Sequence, residues 1–424
     1  MKVIILVLLL LSNVTLAQHE GESVDRLNKL SNEKQYFQLS RELESYGQSI
    51  DALYRLYFSA IAGNAFNSPE LSNKAINQLL LENENELSDS MIARLIECKI
   101  TNCVNLFDYA NASEATDLLV SKYSRLYDKE YVDELKNSGL IWKAASKLQP
   151  QTVAYSADTR LAVKKDIAGL SNIEISINGI KEQFIFDTGA NFSTISETYA
   201  LKLGLKFLDG NIKVGTVTGI KVDSKLAYAE SLIAGKLNFS NVLFLVLPDE
   251  SLTFGGGVYV INGIVGFPVI KEMKEIQLSD DELFVPMNPE VTSVPNMSFD
   301  GFTPLVETIV NSDTLVFVFD TGAKSTILYY PFYKKNKEFI DANYSQEDIE
   351  FGGAGGQVKV KGYRLNDLII NVSGSSKKLN DIPLLSKIMK PSDEYSFGNL
   401  GRDFTGSFKQ MIMNFEVMSL RFRE

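Results

Sequence analysis

Between Asp25 and about Leu148, apolar residues recur at spacings of three and four, as in Leu53, Leu56, Tyr57 and Ala60, and again in Leu79, Leu80, Leu87, Ile92 and Leu95. That period is one buried face of an α-helix, and long stretches without proline leave the helices uninterrupted. Asn67-Ser68-Pro69-Glu70 and Ser88-Asp89 supply helix starts. Several antiparallel helices are expected; helix-pair repeats stay open, but no fixed period marks a repeat family. After Pro150 the pattern shortens to alternating runs, Ile173-Glu174-Ile175-Ser176-Ile177, then Asn178-Gly179, then Phe184-Ile185-Phe186. Alternation around Asn-Gly predicts a hairpin, and the chain from about Thr152 onward reads as mostly β. A softer stretch, Pro286-Met287-Asn288-Pro289 to Pro295, divides that region near its middle.

The two β halves repeat a motif. Phe184-Ile185-Phe186-Asp187-Thr188-Gly189-Ala190 returns as Phe317-Val318-Phe319-Asp320-Thr321-Gly322-Ala323, with the aspartates 133 positions apart (320 − 187 = 133). Nine residues before each aspartate stands an asparagine at a turn, Asn178 and Asn311. Later, Ile264-Val265-Gly266 and Asn399-Leu400-Gly401 end in glycines with a similar offset (401 − 266 = 135). A single Asp-Thr-Gly reads as an ordinary turn, since Asp and Gly dominate turns. Two in step, each behind a strand, are a specific signal.

Composition narrows the chemistry. His19 is the only histidine and lies near the N-terminus, so neither a histidine-based triad nor a histidine-rich metal site is expected, and no cofactor is called for. The formal net charge of −11 argues against nucleic acid as a partner, because phosphate binding draws on clustered positive charge. Met1 to Ala17 has the three-part layout of a secretory signal peptide: Lys2, an apolar run from Val3 to Leu11, and a small-residue exit at Ala17 before Gln18. Nine apolar residues fall short of the roughly 20 that span a bilayer, so export to the periplasm or medium is expected rather than a stable membrane anchor. In that compartment the two cysteines, Cys98 and Cys103, are candidates for one local disulfide, the alternative being two separate thiols.

The duplicated motif resembles the aspartic peptidases of the retropepsin and pepsin type, and the alanine after each Asp-Thr-Gly is more retropepsin-like than pepsin-like. The resemblance covers about residues 155–424. It leaves the helical N-terminal region unexplained and implies a bilobal all-β unit with retropepsin-like lobes at 155–290 and 296–424; with the signal peptide over 1–17 and an α-helical domain over 18–150 read from the patterns above, the chain is expected to be multi-domain α+β. The resemblance also implies an aspartic endopeptidase whose catalytic pair is Asp187 and Asp320, acting on a peptide or protein substrate. Thr188 and Thr321 would lock the two loops together, and Gly266 and Gly401 would be structural parts of the site walls. Gly189 and Gly322 let the backbone approach the pair without a Cβ, and Ala190 and Ala323 stay small for the same reason.

Two carboxylates at hydrogen-bonding distance hold one proton between them, so one serves as base and the other as acid. Asn191 and Lys324, just past the loops, are candidates for substrate contact, Lys324 being equally a solvated lysine. Val214-Gly215-Thr216-Val217-Thr218-Gly219 and Phe351-Gly352-Gly353-Ala354-Gly355-Gly356 follow each aspartate by some 30 residues and are candidate flaps or plain hairpin turns. The first lacks the tyrosine of pepsin-like flaps. Phe184, Phe186, Phe317 and Phe319 are expected in the core. Two other functions compete: a non-catalytic peptide-binding protein on the same fold, with the helical domain as a scaffold for another protein, and a glycoside hydrolase with more widely spaced acids. The helical domain reads equally as a prosegment, a cover or a partner-binding module.

Overall fold

Capping chemistry sets the helical part of the chain. The computed structural model describes residues 21–47, 49–215, 221–291, 294–353, 356–389 and 391–424; the segment holding the expected signal peptide and His19 lies outside them. Helix α1 runs through residues 21–32, followed by α2 (Tyr36–Tyr46), α3 (Ala52–Ala65), α4 (Pro69–Glu82), α5 (Asp89–Asn105), α6 (Tyr109–Tyr123) and α7 (Lys129–Ala145). Asp51, Ser88, Asp108 and Asp128 each accept a hydrogen bond from a first-turn backbone N–H, satisfying donors that an isolated helix end leaves orphaned. The expected starts at Pro69 and at Ser88-Asp89 are both in place.

A helix-pair repeat, left open by the sequence, is present in the backbone as one recurrence at an offset of 40 residues. Asn67 between α3 and α4 and Phe107 between α5 and α6 share a positive φ (55° and 58°). The 3-10 turns Glu84–Glu86 and Ser124–Leu126 and the N-caps Ser88 and Asp128 follow with the same offset (124 − 84 = 40). The period hides in the sequence because matched positions carry unlike residues, an asparagine answering a phenylalanine. The possible disulfide is corrected: Cys98 and Cys103 are separate, buried thiols. Both lie within α5, where five residues at about 100° each point the side chains to different faces. Burial pushes both thiols up to about 11, which keeps them protonated at neutral pH.

From Thr152 onward the chain is largely β, arranged in two large sheets and a two-stranded ribbon. The Asn178-Gly179 turn joins the strands Ser171–Ile177 and Ile180–Phe186, both turn residues at positive φ (51° and 81°), as a tight two-residue hairpin requires. Asn311 and Ser312 do the same between Thr303–Val310 and Asp313–Phe319. Each aspartate-bearing strand then takes a parallel neighbour from far along the chain: Ile264 and Val265 pair with Ile185 and Phe186, and Asn399 and Leu400 with Val318 and Phe319. The same short segments pair antiparallel with the strand just past each aspartate, Gly263 with Ile195 and Gly398 with Leu328.

The C-terminal hairpin, Gln410–Asn414 and Ser419–Arg423, crosses back to pair with Glu275–Leu278, which continues through Glu282–Val285 to Thr159–Lys165. One apolar core spans both halves: Phe184, Phe186, Phe317 and Phe319 are fully buried, as expected, and belong to it together with Phe267, Phe299 and Phe415. Burying such rings is the main favourable term holding the halves together.

The helices share a second apolar core with the β region. Trp142 of α7 stacks on Tyr109 and lies 5.9 Å from the ring of Phe192, which meets Phe302 at 6.0 Å. Leu243, Leu245, Leu305 and Val316 are buried in that cluster. Polar ties add register. Lys271 is buried with its ammonium on the Asn105 carbonyl, Asn67 donates to the Phe415 carbonyl, and Lys34 and Arg41 pair with Asp300 and Glu307. Asn137 of α7 accepts from the backbone N–H of Lys213 and donates to its carbonyl, filling both positions at a sheet edge.

Candidate active site

Both Asp-Thr-Gly segments leave the end of a buried strand, and the neighbouring crossing segment holds each in place. Asp187 N–H donates to the Val265 carbonyl (3.1 Å) and Asp320 N–H to that of Leu400 (3.4 Å). Three residues on, Ala190 and Ala323 accept from the N–H groups of Phe267 (2.8 Å) and Arg402 (3.0 Å). Each loop is thus pinned at both ends. Gly266 and Gly401 make the pinning possible. A Cβ on Gly266 would stand 2.4 Å from the Phe192 carbonyl carbon, and one on Gly401 2.5 Å from that of Ser325. Their N–H groups donate to Ser193 Oγ and Thr326 Oγ1, each at 3.1 Å.

The loops meet through a reciprocal hydrogen-bond set. Thr188 N–H donates to Thr321 Oγ1 and Thr321 N–H to Thr188 Oγ1, both at 3.0 Å. Each hydroxyl donates onward across the junction, Thr188 to the Phe319 carbonyl (3.4 Å) and Thr321 to that of Phe186 (3.1 Å). Both threonines are buried, so every one of these groups needs its partner. The glycines enforce the approach: an ideal Cβ on Gly189 would lie 2.4 Å from Cγ of Asp320, and one on Gly322 2.5 Å from Cγ of Asp187. Each loop therefore rests against the carboxylate of the other.

The result is a face-to-face acid pair. Gly189 N–H donates to Asp187 Oδ1 at 2.8 Å, and Gly322 and Ala323 N–H groups donate to Asp320 Oδ1 at 2.8 and 3.1 Å. Burial, then the negative charge of Asp320 and a hydrogen bond with it, hold the Asp187 carboxyl well above the usual carboxylate range, against the downward pull of the Gly189 and Ala190 N–H groups. Such a pair keeps a proton at pH values where isolated carboxylates have lost theirs.

The remaining sequence candidates sit around this centre. Asn191 and Lys324 are exposed just beyond the loops. Gly215 ends the strand Lys206–Gly215, which pairs with Lys221–Ala234; Thr216 and Gly219 lie outside the described residues. Gly352 and Gly353 end the strand Glu347–Gly353, opposite Gln357 and Gly356. Three groups were not picked out from sequence. Ser193 and Thr326 each stand six residues after an aspartate, a spacing the duplication would have flagged. Asp403 accepts from Thr326 N–H (2.8 Å) and Oγ1 (2.7 Å), whereas Pro268 holds the corresponding place in the first half. Asn399 donates from Nδ2 to Asp320 Oδ2 at 3.2 Å. Its amide was hidden inside a run read for its apolar character.

Residues 173–269 match the family model of aspartyl proteases. The matched span holds Asp187 and Gly266 and ends before Asp320, so the second aspartate is joined to the first by geometry rather than by the match. No curated protein matches the chain. Taken with the loop geometry, the match supports an aspartyl protease domain, retropepsin-like over those residues, and with it a hydrolase activity on peptides.

Proposed function

We propose that this chain is an exported aspartic endopeptidase with two retropepsin-like lobes in one polypeptide, hydrolysing peptide bonds with a water activated between Asp187 and Asp320. The observation that carries the reading is the reciprocal threonine set, with each loop's glycine against the other loop's carboxylate. Aspartic peptidases are the standard example of two carboxylates sharing one proton. The ionised member takes a proton from water as the water oxygen attacks the carbonyl carbon, and the protonated member gives its proton to the carbonyl oxygen. As the gem-diol collapses, one hydroxyl returns its proton to the aspartate that had given its own, the C–N bond breaks and the leaving nitrogen takes the proton held by the base, which restores the shared-proton pair. An extended peptide adds strand-like hydrogen bonds along the cleft.

The helical region fits the role of a fixed wall. Val316 and Val318 alternate onto the same side of their strand as Asp320 and pack against the helical cluster, as do Leu243 and Leu245. A shared core of this kind suits a part retained in the working enzyme. Export rests on the N-terminal pattern.

The decisive experiment digests a peptide library from pH 3 to 8 with wild type, Asp187→Asn and Asp320→Ala, all recovered from the exported fraction and weighed intact to read the N-terminus. Wild type is expected to begin at Gln18 and to cut within peptides. Each variant is expected to lose at least about a thousandfold in kcat/KM with its fold intact, since removing one member of a cooperating pair forfeits most of the acid-base catalysis. Peptide binding without cleavage would replace the enzyme by a peptide-binding protein, and release of sugars without peptide cleavage would point to a glycosidase.

A further inference from the structure

We infer that Asn399 is a positioning residue that makes the acid pair unequal, holding Asp320 as the carboxylate that takes the proton from water and leaving the shared proton on Asp187. The inference rests on the peptidase reading for its catalytic consequence, and on local geometry for the inequality itself.

The two loops are near-copies, and their backbone donors treat the inner carboxylate oxygens alike: Oδ1 of Asp187 and of Asp320 each accept a glycine N–H at 2.8 Å. The position after each Asp-Thr-Gly is alanine, so no hydroxyl there distinguishes the acids. What breaks the symmetry is the crossing segment. In the first half, Ile264 pairs beside Ile185, two residues before Asp187. In the second, Asn399 takes the matched place beside Val318, two residues before Asp320 (399 − 264 = 135), and its Nδ2 reaches Asp320 Oδ2 at 3.2 Å. Strand alternation explains the reach, since a residue and its second neighbour share a face.

The amide presents its donor, Nδ2, to Asp320 Oδ2. An N–H donated to a carboxylate oxygen favours the charged form, because an ionised carboxylate only accepts. Asp320 then has three N–H donors on its two oxygens, two from the loop backbone and one from Asn399. The Asn399 Oδ1 is buried and has no hydrogen-bond partner among the described residues. That orphaned acceptor carries a cost that an isoleucine would avoid. The amide therefore earns its place by the group it donates to.

The other groups facing the pair do not reverse this. Tyr329 is buried and senses both Asp320 and Asp393, and burial pushes its phenol up so that it stays neutral. Lys324 is exposed to solvent. Asp187 faces Asp320 itself, with an apolar residue where Asn399 stands in the other half.

The test is a titration of the full mature chain labelled with 13C at the aspartate carboxyls, Asp187 and Asp320 being assigned through their asparagine variants. In wild type, Asp187 is expected to keep its proton to the higher pH of the two. Asn399→Ile, which copies the first half, should raise the Asp320 midpoint by about one pH unit and narrow the gap to Asp187. Asn399→Ala serves as a second variant should the branched side chain disturb folding, and Ile264→Asn should lower the Asp187 midpoint. Where peptide cleavage is measured, the acid limb of kcat/KM should move upward with the Asp320 midpoint in the Asn399 variants, with KM little changed. An Asp320 midpoint that does not move, or Asp187 ionising first in wild type, overturns the inference. Absence of cleavage by wild type would overturn the peptidase reading alone, because the titration reads the inequality without it.

Discussion

A half-buried carboxyl set against a second carboxyl is the most telling single residue here, because its protonation is coupled to folding. The Asp187 carboxyl is raised above its ordinary value, so it contributes stability that is fully present below the unfolded value of 3.8 and is lost as pH rises through the folded value. Above that point the folded chain carries a charge that burial and Asp320 both oppose. Asp187→Asn removes the charge without changing the side chain's shape. The variant should therefore melt higher than wild type at pH 8, and the difference in Tm should shrink toward zero at pH 3. A constant difference across that range, read by far-UV dichroism, would show that Asp187 does not titrate under strain. Asn399 belongs to the same scale: one amide on one oxygen is enough to tell two near-identical loops apart.

Among the elements, the loops and the segments that cross them divide their labour in a way glycine substitutions can separate. Gly266 and Gly401 face backbone, at 2.4 and 2.5 Å from where a Cβ would sit, so an alanine there must displace main chain. Gly266→Ala and Gly401→Ala are each expected to cost about 3 kcal/mol or more in chemical denaturation. The nearest atoms to a Cβ on Gly189 are those of the Asp320 carboxylate, a side chain rather than backbone. Gly189→Ala should cost less stability while pushing the acids apart, and so remove peptide cleavage at near-native Tm. The reverse ordering would mean that the crossing segments do not hold the loops. Local sequence made much of this legible. The Asn178-Gly179 hairpin, the two aspartate loops and the buried Phe184, Phe186, Phe317 and Phe319 all follow from patterns within about ten residues. Asn399 was not legible, because its partner lies 79 positions away.

For the molecule as a whole, the junction of helices and sheets centres on the chain's single tryptophan. Trp142 is buried between Tyr109 and Phe192, and Phe192 stands five residues past Asp187. Unfolding followed by its fluorescence should coincide with unfolding followed by dichroism, since one apolar cluster spans the junction. Trp142→Ala is expected to cost about 3–5 kcal/mol, read by dichroism. Two separate transitions in wild type would mean that the helices fold apart from the sheets and do not form a wall of the site.

Helix starts at Pro69 and Ser88, the change from helix to strand near Pro150 and the two Asp-Thr-Gly loops are legible in the chain itself, because each rests on residue types at short, fixed spacings, and the duplication follows from aligning two such stretches. The fold settles the recurrence of a helix pair at an offset of 40 residues, the separation of Cys98 from Cys103, and the completion by the C-terminal hairpin of a sheet begun by the first half. It also settles which neighbour each aspartate receives. These depend on which distant segments fill the free edges and faces of each element, and packing settles that choice over the whole chain at once.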